Sequence, residues 1–370
     1  MSRTGICLVS GIYPPESGGP AKFTSTFSRW LLSHDYSVSV VTLTDQADYF
    51  EKINELSVMR ISRNRNLLLR YLTSARYIFR YSKNRVIVAN GMFLEVLICK
   101  IFTGRRYFTK IPGDIVWERA KNSNYTSLNI NDFQNSHLNL KYRIFRYFFS
   151  KSLKMSEGVI VPSHHLYQLV LSWGINPQKI KLVFNSISLD IFEFNSKNSR
   201  DIDVLTVSRL VKWKGLDEVI KACGKLSLNL TIVGSGPERD RLEKIAIQYG
   251  TSVKFVGEVS QSQLPSYYAR AKYFVLNSTF EATSYALLEA RSCGAFSIAN
   301  SQTGSEDVIK HLEDGLLCGD ATGLDIKSAL EYAVSHEFFV EEARSKARLR
   351  TEKLFNLENN FADIFRYVTQ

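Results

Sequence analysis

Glu281 and Glu289 stand eight residues apart, and their type and spacing suit chemistry better than any other pair in this sequence. Eight helical residues advance a chain by about 12 Å and little more than two turns, so both carboxylates can share one face. We expect Glu281 in the loop before a helix and Glu289 inside that helix. The first backbone N–H groups of a helix can bind an anion, so the pair suits a sugar diphosphate. Taken alone, however, the spacing favours an ordinary amphipathic helix with two solvated acids.

Two basic residues, Arg209 and Lys214, follow Val204–Val207, a run that predicts a strand. A guanidinium can bind two phosphate oxygens at once, and an ammonium acts as a mobile point charge. Together they can neutralise a leaving diphosphate and lower the barrier to glycosidic bond cleavage without a metal. Solvated surface cations are the plainer alternative, but a position at the end of a strand favours function.

Glycine-containing loops follow two other predicted strands. Gly18 and Gly19 lie between the first strand and its helix, where glycine lets the backbone approach a phosphate or a sugar closely. Gly234 begins a Gly-x-Gly sequence, but Arg239 stands where a dinucleotide-binding fingerprint has its third glycine. The second loop therefore does not indicate an NAD enzyme.

Four segments, in this order, resemble glycosyltransferase family 4, the retaining enzymes with a GT-B fold: Tyr13–Pro20, Val207–Asp217, Leu230–Arg239 and Phe280–Ala290. The resemblance covers nearly the whole chain. It implies an α/β protein of two tandem Rossmann-like domains that face a central cleft. It also implies transfer of a sugar from a nucleotide diphosphate-sugar donor to a glycan or lipid-linked glycan, as in polysaccharide or lipopolysaccharide biosynthesis. No metal and no cofactor besides the donor substrate are implied.

The resemblance assigns roles to individual residues. Arg209 and Lys214 would hold the diphosphate, Glu289 the ribose, and Glu281 the donor-sugar hydroxyls beside the reacting carbon. Asp114 stands where many relatives carry a catalytic histidine, so it joins Glu281 as a candidate catalytic residue, with a plain turn as the alternative. The other expected donor contacts are Gly18, Gly19, Gly234, Val259, Ser284 and Tyr285.

Two departures from the family pattern concern the donor pocket. Thr283-Ser284 replaces the usual Phe-Gly, and Asn185-Ser186 replaces Asn-Gly. The first change alters the pocket near the sugar, which leaves the identity of the donor sugar open.

Short β-branched runs alternate with helical patterns through both halves of the 370-residue chain, which predicts two parallel sheets covered by helices. We expect residues 1–185, with a C-terminal helix in 353–370, to form an acceptor-binding domain. Residues 186–352 would form the donor-binding domain. The polar stretch 184–201, which includes Asn195-Ser196-Lys197-Asn198, is the best candidate for a linker.

Metal, disulfide and membrane-spanning elements are not indicated. Asp201 and Asp203 form an Asp-x-Asp sequence, which we interpret as a solvated part of the linker. Five widely spaced cysteines without a Cys-x-x-Cys suit buried thiols in a reducing cytoplasm. No run of 18 apolar residues predicts a transmembrane helix, and Ile6–Ser10 is typical of a first strand, not of a signal peptide.

The net charge of +11 is unevenly divided. Residues 1–185 contain 25 Lys and Arg against 11 Asp and Glu, or +14, which leaves 22 against 25, or −3, for the rest. Residues 67–85 and 138–154 place basic and apolar side chains next to each other at helical spacing. Each alone is most simply a core-facing helix, but together they favour contact with an anionic membrane surface. We therefore expect a cytoplasmic protein, peripheral on the inner face of the membrane, with no nucleic-acid partner.

Two other functions stay open. A GT-B-like nucleotide-sugar epimerase would release free sugar without any acceptor. An inactive membrane-associated scaffold would use only the basic half, although the four charged residues of the donor pattern argue against it: Arg209, Lys214, Glu281 and Glu289.

Overall fold

The computed structural model describes residues 5–194, 199–319 and 321–370. The chain forms two compact units. The first unit comprises Met1–Val183 and Glu358–Gln370, and the second comprises Phe184–Leu357.

The described residues contain fourteen strands. They are β1 (Gly5–Ser10), β2 (Val38–Thr44), β3 (Tyr49–Ile53), β4 (Leu56–Ser62), β5 (Arg85–Ala89), β6 (Tyr107–Lys110), β7 (Gly158–Val161), β8 (Ile180–Leu182), β9 (Ile202–Val207), β10 (Leu230–Val233), β11 (Val253–Gly257), β12 (Ala271–Leu276), β13 (Phe296–Asn300) and β14 (Leu316–Cys318).

Fifteen α-helices connect or flank these strands in the described ranges. They are α1 (Gly19–Ser33), α2 (Leu67–Tyr81), α3 (Phe93–Thr103), α4 (Ile115–Asn122), α5 (Ile130–Gln134), α6 (Leu140–Met155), α7 (His164–Ser172), α8 (Leu216–Lys225), α9 (Arg239–Gln248), α10 (Leu264–Arg270), α11 (Tyr285–Ser292), α12 (Ser305–Val308), α13 (Ile326–Ser335), α14 (Glu337–Leu354) and α15 (Leu357–Thr369).

The first unit is built on a sheet with the strand order β3-β4-β2-β1-β5-β6-β7-β8. Only the edge strand β3 is antiparallel to its neighbour, and the other pairs are parallel. The central strands β1 and β2 are buried along their whole length, as expected for parallel strands covered by helices on both faces. The loops after β1, β5 and β6 therefore leave from the same edge of the sheet.

The C-terminal helix α15 completes the first unit. The ring of Phe361 lies 5.9 Å from that of Phe23 and 5.0 Å from that of Phe27, both on α1. Trp30 Nε1 donates a hydrogen bond to Glu358 Oε2 at 2.7 Å. An aromatic cluster of this kind buries a large apolar area, so α15 is part of the core of this unit.

The second unit is built on an all-parallel sheet with the order β11-β10-β9-β12-β13-β14. Helices alternate with its strands, as they do in the first unit. The sequence-based prediction of two tandem Rossmann-like α/β domains is therefore confirmed.

The predicted linker 184–201 is corrected by the structure. Ile187 and Phe192 are each only 2% exposed and belong to the core of the second unit. Ser292 Oγ also donates a hydrogen bond to the carbonyl oxygen of Phe192 at 2.6 Å. Two apolar anchors thus fix a segment whose polar composition resembles a linker. Residues 195–198 lie outside the described residues.

The Asp-x-Asp sequence is likewise not a solvated linker. Asp201 forms an ion pair with Arg270, and Asp203 lies within β9 and pairs with Lys272 at 2.8 Å. Asp203 also accepts a hydrogen bond from the amide of Asn229 at 2.9 Å. Both carboxylates lie where β9 begins, whereas the donor residues predicted from the sequence follow the ends of strands.

Candidate active site

The strand order of the second unit reverses next to β9. The chain leaves β9 for β10 on one side and later returns to β12 on the other side. In open parallel sheets, ligands bind outside the carboxyl ends of the strands at such a point. Arg209 and Lys214 follow β9, and Glu281 follows β12, so three predicted residues flank this position.

Lys214 and Glu281 are in direct contact. Lys214 Nζ donates a hydrogen bond to Glu281 Oε1, and the two side chains are only 18% and 14% exposed. The loops that carry them are also joined, because the Thr279 N–H donates to the carbonyl oxygen of Trp213 at 2.9 Å. Each charge therefore has its partner before a ligand arrives, and a ligand with phosphate and hydroxyl groups can bind to both.

Two glycines permit the close approach of these loops. Gly215 has φ 58°, and a Cβ there would lie 2.7 Å from Asn277 Nδ2. A Cβ on Gly304 would lie 1.6 Å from the carbonyl oxygen of Ala282, and the Gly304 N–H donates to the carbonyl oxygen of Glu281 at 2.8 Å. Gly304 and Asn277 were not identified from the sequence. A glycine in the loop after a buried strand, at the edge where the other predicted residues lie, is the signal for Gly304.

Arg209 is exposed just beyond the end of β9. Within the described part of the chain, its guanidinium makes no hydrogen bond or ion pair, although its backbone carbonyl accepts one from Val211 at 3.0 Å. An uncommitted guanidinium at the carboxyl edge of a sheet is available to an anionic ligand.

Glu289 lies on the second turn of α11, and Glu281 lies in the loop before it. Ser284 caps the helix by accepting a hydrogen bond from the Leu287 N–H at 3.4 Å. Glu289 is 2% exposed and accepts a hydrogen bond from the hydroxyl of Tyr268 at 2.9 Å. Burial raises the pKa of Tyr268 well above its usual value, so this hydroxyl remains a donor.

The two departures from the family pattern are in contact with each other. Asn185 Nδ2 donates a hydrogen bond to the carbonyl oxygen of Thr283 at 3.0 Å. Thr283 directly precedes the cap of α11, and Tyr285 is the first residue of that helix. Burial raises the pKa of Tyr285, so its hydroxyl is also neutral at physiological pH. These contacts fix the start of α11, where helix N–H groups lack partners within the helix.

The loops after β10 and β11 are joined at the predicted nucleotide pocket. The Gly234 N–H donates to the carbonyl oxygen of Gly257 at 2.8 Å, and the Ser235 hydroxyl donates to Glu258. Val259 is half-buried and packs against the apolar core of the second unit. Its side chain is therefore structural, and its backbone is the part that a base can contact.

Gly18 and Gly19 begin α1 in the first unit. The loop before them is held by two arginines of the β4 region. Arg60 donates to the carbonyl oxygen of Pro14, and Arg63 donates to that of Gly11 at 2.7 Å. The glycine loop thus has a fixed path along the carboxyl edge of the sheet.

Asp114 is a buried helix cap, 1% exposed. One carboxylate oxygen accepts hydrogen bonds from the backbone N–H groups of Val116 and Trp117, at 2.9 and 3.1 Å. The other accepts one from Gln134 Nε2 at 3.0 Å. Burial raises the pKa of Asp114, while these hydrogen bonds oppose the shift. One oxygen caps α4 and the other accepts a hydrogen bond from Gln134, so both already have partners, as in the turn that we considered as the alternative.

In residues 5–194, 199–319 and 321–370, no group of three or more His, Cys, Asp or Glu side chains is placed to hold a metal ion. None of the helices in these ranges is both long and apolar enough to cross a bilayer.

Two family models match consecutive parts of the chain. Residues 17–191 match the model for Glycosyltransferase Family 4, and residues 188–352 match the model for Glycosyl transferases group 1. Together they extend over both structural units.

Two curated relatives have low sequence identity to this chain, but their alignments cover most or all of its length. An uncharacterized glycosyltransferase of Methanocaldococcus jannaschii is 25% identical over 338 residues, which cover 84% of each chain. A Campylobacter jejuni enzyme is 23% identical over 382 residues and covers 100% of both chains. It is named N-acetylgalactosamine-N,N'-diacetylbacillosaminyl-diphospho-undecaprenol 4-alpha-N-acetylgalactosaminyltransferase.

Solved structures share the fold. Sucrose-phosphate synthase from Thermosynechococcus elongatus superposes with a TM-score of 0.82 at 19% identity and covers 100% of this chain and 99% of that one. The Anabaena protein HepE in complex with UDP and glucose has a TM-score of 0.77 at 15% identity, with 99% of both chains covered. At these identities the likeness concerns the fold alone, which is GT-B.

Proposed function

Because the chain is a glycosyltransferase, with a family 4 domain followed by a group 1 domain, we propose that it moves a sugar from a nucleotide diphosphate-sugar to a lipid-linked glycan in surface polysaccharide synthesis. The Campylobacter relative acts on a diphospho-undecaprenol acceptor, and the HepE structure contains UDP and glucose. These ligands support the acceptor and donor classes for this chain.

The contact between Lys214 and Glu281 is the observation that carries this proposal. A cation and a carboxylate meet at the point where the strand order reverses, next to an Arg209 that has no partner among the described residues. The donor diphosphate binds to Arg209 and Lys214. Glu281 is then released to accept hydrogen bonds from the donor sugar beside its reacting carbon.

The nucleotide binds to the remaining predicted residues of the second unit. Glu289 accepts hydrogen bonds from the ribose, which a buried carboxylate does strongly. The N–H groups at the start of α11 bind phosphate oxygens, since the helix dipole favours negative charge there. The other donor contacts in this unit are Gly234, Val259, Ser284 and Tyr285.

The reaction proceeds with retention and without a metal. Fixed cations stabilise the charge that develops on the leaving diphosphate, which is the role that a divalent ion plays in other transferases. Retention is proposed on the family alone. Gly18 and Gly19 let the backbone of the first unit approach a bound sugar closely, and Asp114 positions the loop after β6.

The acceptor binds to the first unit, at a membrane surface. The exposed side of α6 carries four apolar side chains, which are Leu140, Ile144, Tyr147 and Phe148. Exposed basic residues stand among them, and the first turns of α2 expose four leucines. Apolar groups set among cations suit the interface of an anionic bilayer. The enzyme therefore works as a peripheral protein on the cytoplasmic face, through residues 67–85 and 138–154.

One assay separates the three candidate functions. Purified protein is given UDP-sugars with and without a lipid diphosphate-linked glycan, and both UDP and free sugar are measured. We expect UDP release that depends on the acceptor and a lengthened glycan by mass spectrometry. Release of UDP and free sugar without acceptor would indicate the epimerase. If neither UDP nor any other nucleoside diphosphate binds or is released, the inactive scaffold is indicated.

A further inference from the structure

A cavity of about 510 Å³ lies in the first unit at the carboxyl edge of its sheet. Its walls come from the loops after β1, β5 and β6 and from helices α2, α3 and α4. Its volume is within the range of about 300–1,000 Å³ that is typical of ligand pockets. The residues predicted from the sequence do not line it, so its ligand has to be inferred from its own polar groups.

Two polar atoms in this cavity are buried without a partner in the described residues. The Asn90 amide nitrogen donates to the carbonyl oxygen of Pro20 at 3.1 Å, which fixes the orientation of the amide. Asn90 is 2% exposed, and its amide oxygen has no hydrogen bond. The Nε of Arg70 is buried and unpaired as well. Buried polar atoms are nearly always hydrogen-bonded, and because each of these has almost no accessible surface, a ligand group completes its hydrogen bond after a small shift of the side chain toward the cavity.

Three charged groups in the same cavity form no ion pair with a described residue. Glu95, on the first turn of α3, is 5% exposed and has no ion-pair partner within the described part of the chain. Burial raises the pKa of Glu95, whereas Arg70 and Arg119 lower it through their charge. Neither guanidinium forms an ion pair with a described residue; Arg70 contacts the ring of Tyr71 and Arg119 that of Phe145. The cavity thus combines a buried acceptor of hydrogen bonds with two available cations.

From this arrangement we infer that the cavity binds a sugar that carries a phosphate, as the acceptor-proximal part of the proposed substrate. Glu95 and Asn90 Oδ1 accept hydrogen bonds from sugar hydroxyl or acylamino groups. Arg70 and Arg119 bind the phosphate oxygens, for which a guanidinium has matching geometry. Glu95, Asn90 and the two arginines are then specificity-determining residues, and the inference rests on the proposed function.

Direct binding tests this inference without knowledge of the natural acceptor. The full chain, saturated with UDP, is titrated with hexose 1-phosphates (glucose, galactose and their N-acetylamino forms), with the same free sugars, and with inorganic phosphate. Ligand-observed NMR measures each dissociation constant. We expect at least one hexose 1-phosphate to bind about tenfold or more tightly than its free sugar and than phosphate, as charge-assisted hydrogen bonds require. If no hexose 1-phosphate exceeds inorganic phosphate, the inference is wrong.

Variants test which residues bind the phosphate of the ligand and which bind its sugar. Arg119→Gln, at an exposed side chain, and Arg70→Gln should remove the preference for the phosphate form. Glu95→Gln should weaken sugar 1-phosphate binding about tenfold, since a hydrogen bond to a charged group is replaced by one to an amide. Lys52→Gln, on the exposed edge strand β3, removes one positive charge outside the cavity and is the matched control.

The affinity for UDP is measured in parallel, because it depends on the second unit. Normal UDP binding together with unchanged sugar-phosphate affinity in Glu95→Gln and Arg119→Gln would overturn the cavity assignment alone. Failure of the wild-type protein to bind UDP or any other nucleoside diphosphate would instead overturn the proposed function. Circular dichroism of each variant shows whether a lost affinity reflects a lost fold.

Discussion

Glu289 is the residue whose replacement most directly tests the donor site. Glutamine has the same shape and keeps an oxygen for the Tyr268 hydrogen bond, but it removes the charge. If the carboxylate binds the ribose, Glu289→Gln should weaken UDP binding by ~1.5–3 kcal/mol, the range for hydrogen bonds to charged groups. The melting temperature should change little. Isothermal titration with UDP and a thermal melt measure the two effects.

The control for this variant is Glu243→Gln on α9. Glu243 is partly exposed, and its one ion pair among the described residues is with Arg239 of the same helix, at 2.8 Å. Its replacement should leave UDP affinity unchanged. If Glu289→Gln also binds UDP as the wild type does, Glu289 does not belong to the nucleotide site.

The Asp-x-Asp sequence leads to a second prediction at this scale. Fixed cations are proposed to replace a metal, so turnover should survive EDTA, and Asp203→Asn should keep its activity. The variant should nevertheless melt earlier, because Asp203 pairs with Lys272 and accepts two hydrogen bonds from Asn229. Loss of turnover on chelation, restored by magnesium or manganese, would show that a metal takes part.

At the scale of elements, the sequence predicts most of the buried strands. The runs Ile6–Ser10 and Val204–Val207 lie within β1 and β9, since β-branched runs form the covered strands of a parallel sheet. Strands β3 and β4 were not predicted: β3 is an exposed edge strand without clear alternation, and Arg60 interrupts the apolar run of β4. The short strands β6, β8 and β14 were not predicted. Their conformation depends on neighbours that are distant in sequence.

The candidate site, like the strands, could be predicted only in part from the sequence. The sequence identifies Lys214 and Glu281 as separate residues of a family pattern, but their contact joins positions 67 residues apart and follows only from the fold. The cavity around Glu95 was not predicted at all. Its walls come from several helices and loops that are far apart in sequence, and no short motif records such a convergence.

Gly304 allows an element-scale prediction. A Cβ at this position would overlap the carbonyl oxygen of Ala282, in the loop that carries Glu281. Gly304→Ala must therefore displace that loop, and overpacking of this kind typically costs about 1–3 kcal/mol. We expect a lower melting temperature and weaker UDP-sugar turnover. Gly11→Ala, where nothing lies within 4 Å of the added Cβ, is the control and should keep its stability. Equal melting temperatures for both variants would contradict the close approach.

At the scale of the whole molecule, a single binding site does not explain why the positive charge is concentrated in the first half of the sequence. The +14 of residues 1–185 exceeds what the acceptor cavity needs, and basic residues lie beside exposed apolar groups on α6. The structure also narrows the set of α6 side chains that we expect to contact a membrane. Arg146 donates hydrogen bonds to the carbonyl oxygens of Gln134 and Phe133, and the ring of Phe145 is covered by Arg119. Membrane contact through α6 is therefore expected from Lys141, Arg143 and Lys151, with Phe148 among the inserting groups.

Vesicle binding tests this surface. Each Lys or Arg near an anionic bilayer contributes about 1 kcal/mol, and the attraction decays within a Debye length of roughly 8 Å at physiological salt. We expect co-sedimentation with phosphatidylglycerol vesicles, much weaker binding to phosphatidylcholine, and partial release by high salt, since apolar insertion is not screened. Replacing Lys141, Arg143 and Lys151 with glutamine should reduce binding while UDP affinity stays intact. The control removes three exposed lysines of the second unit, Lys225, Lys244 and Lys254, and should bind normally. If the wild-type protein does not bind anionic vesicles at low salt, the basic half of the sequence binds an anionic acceptor instead of a membrane.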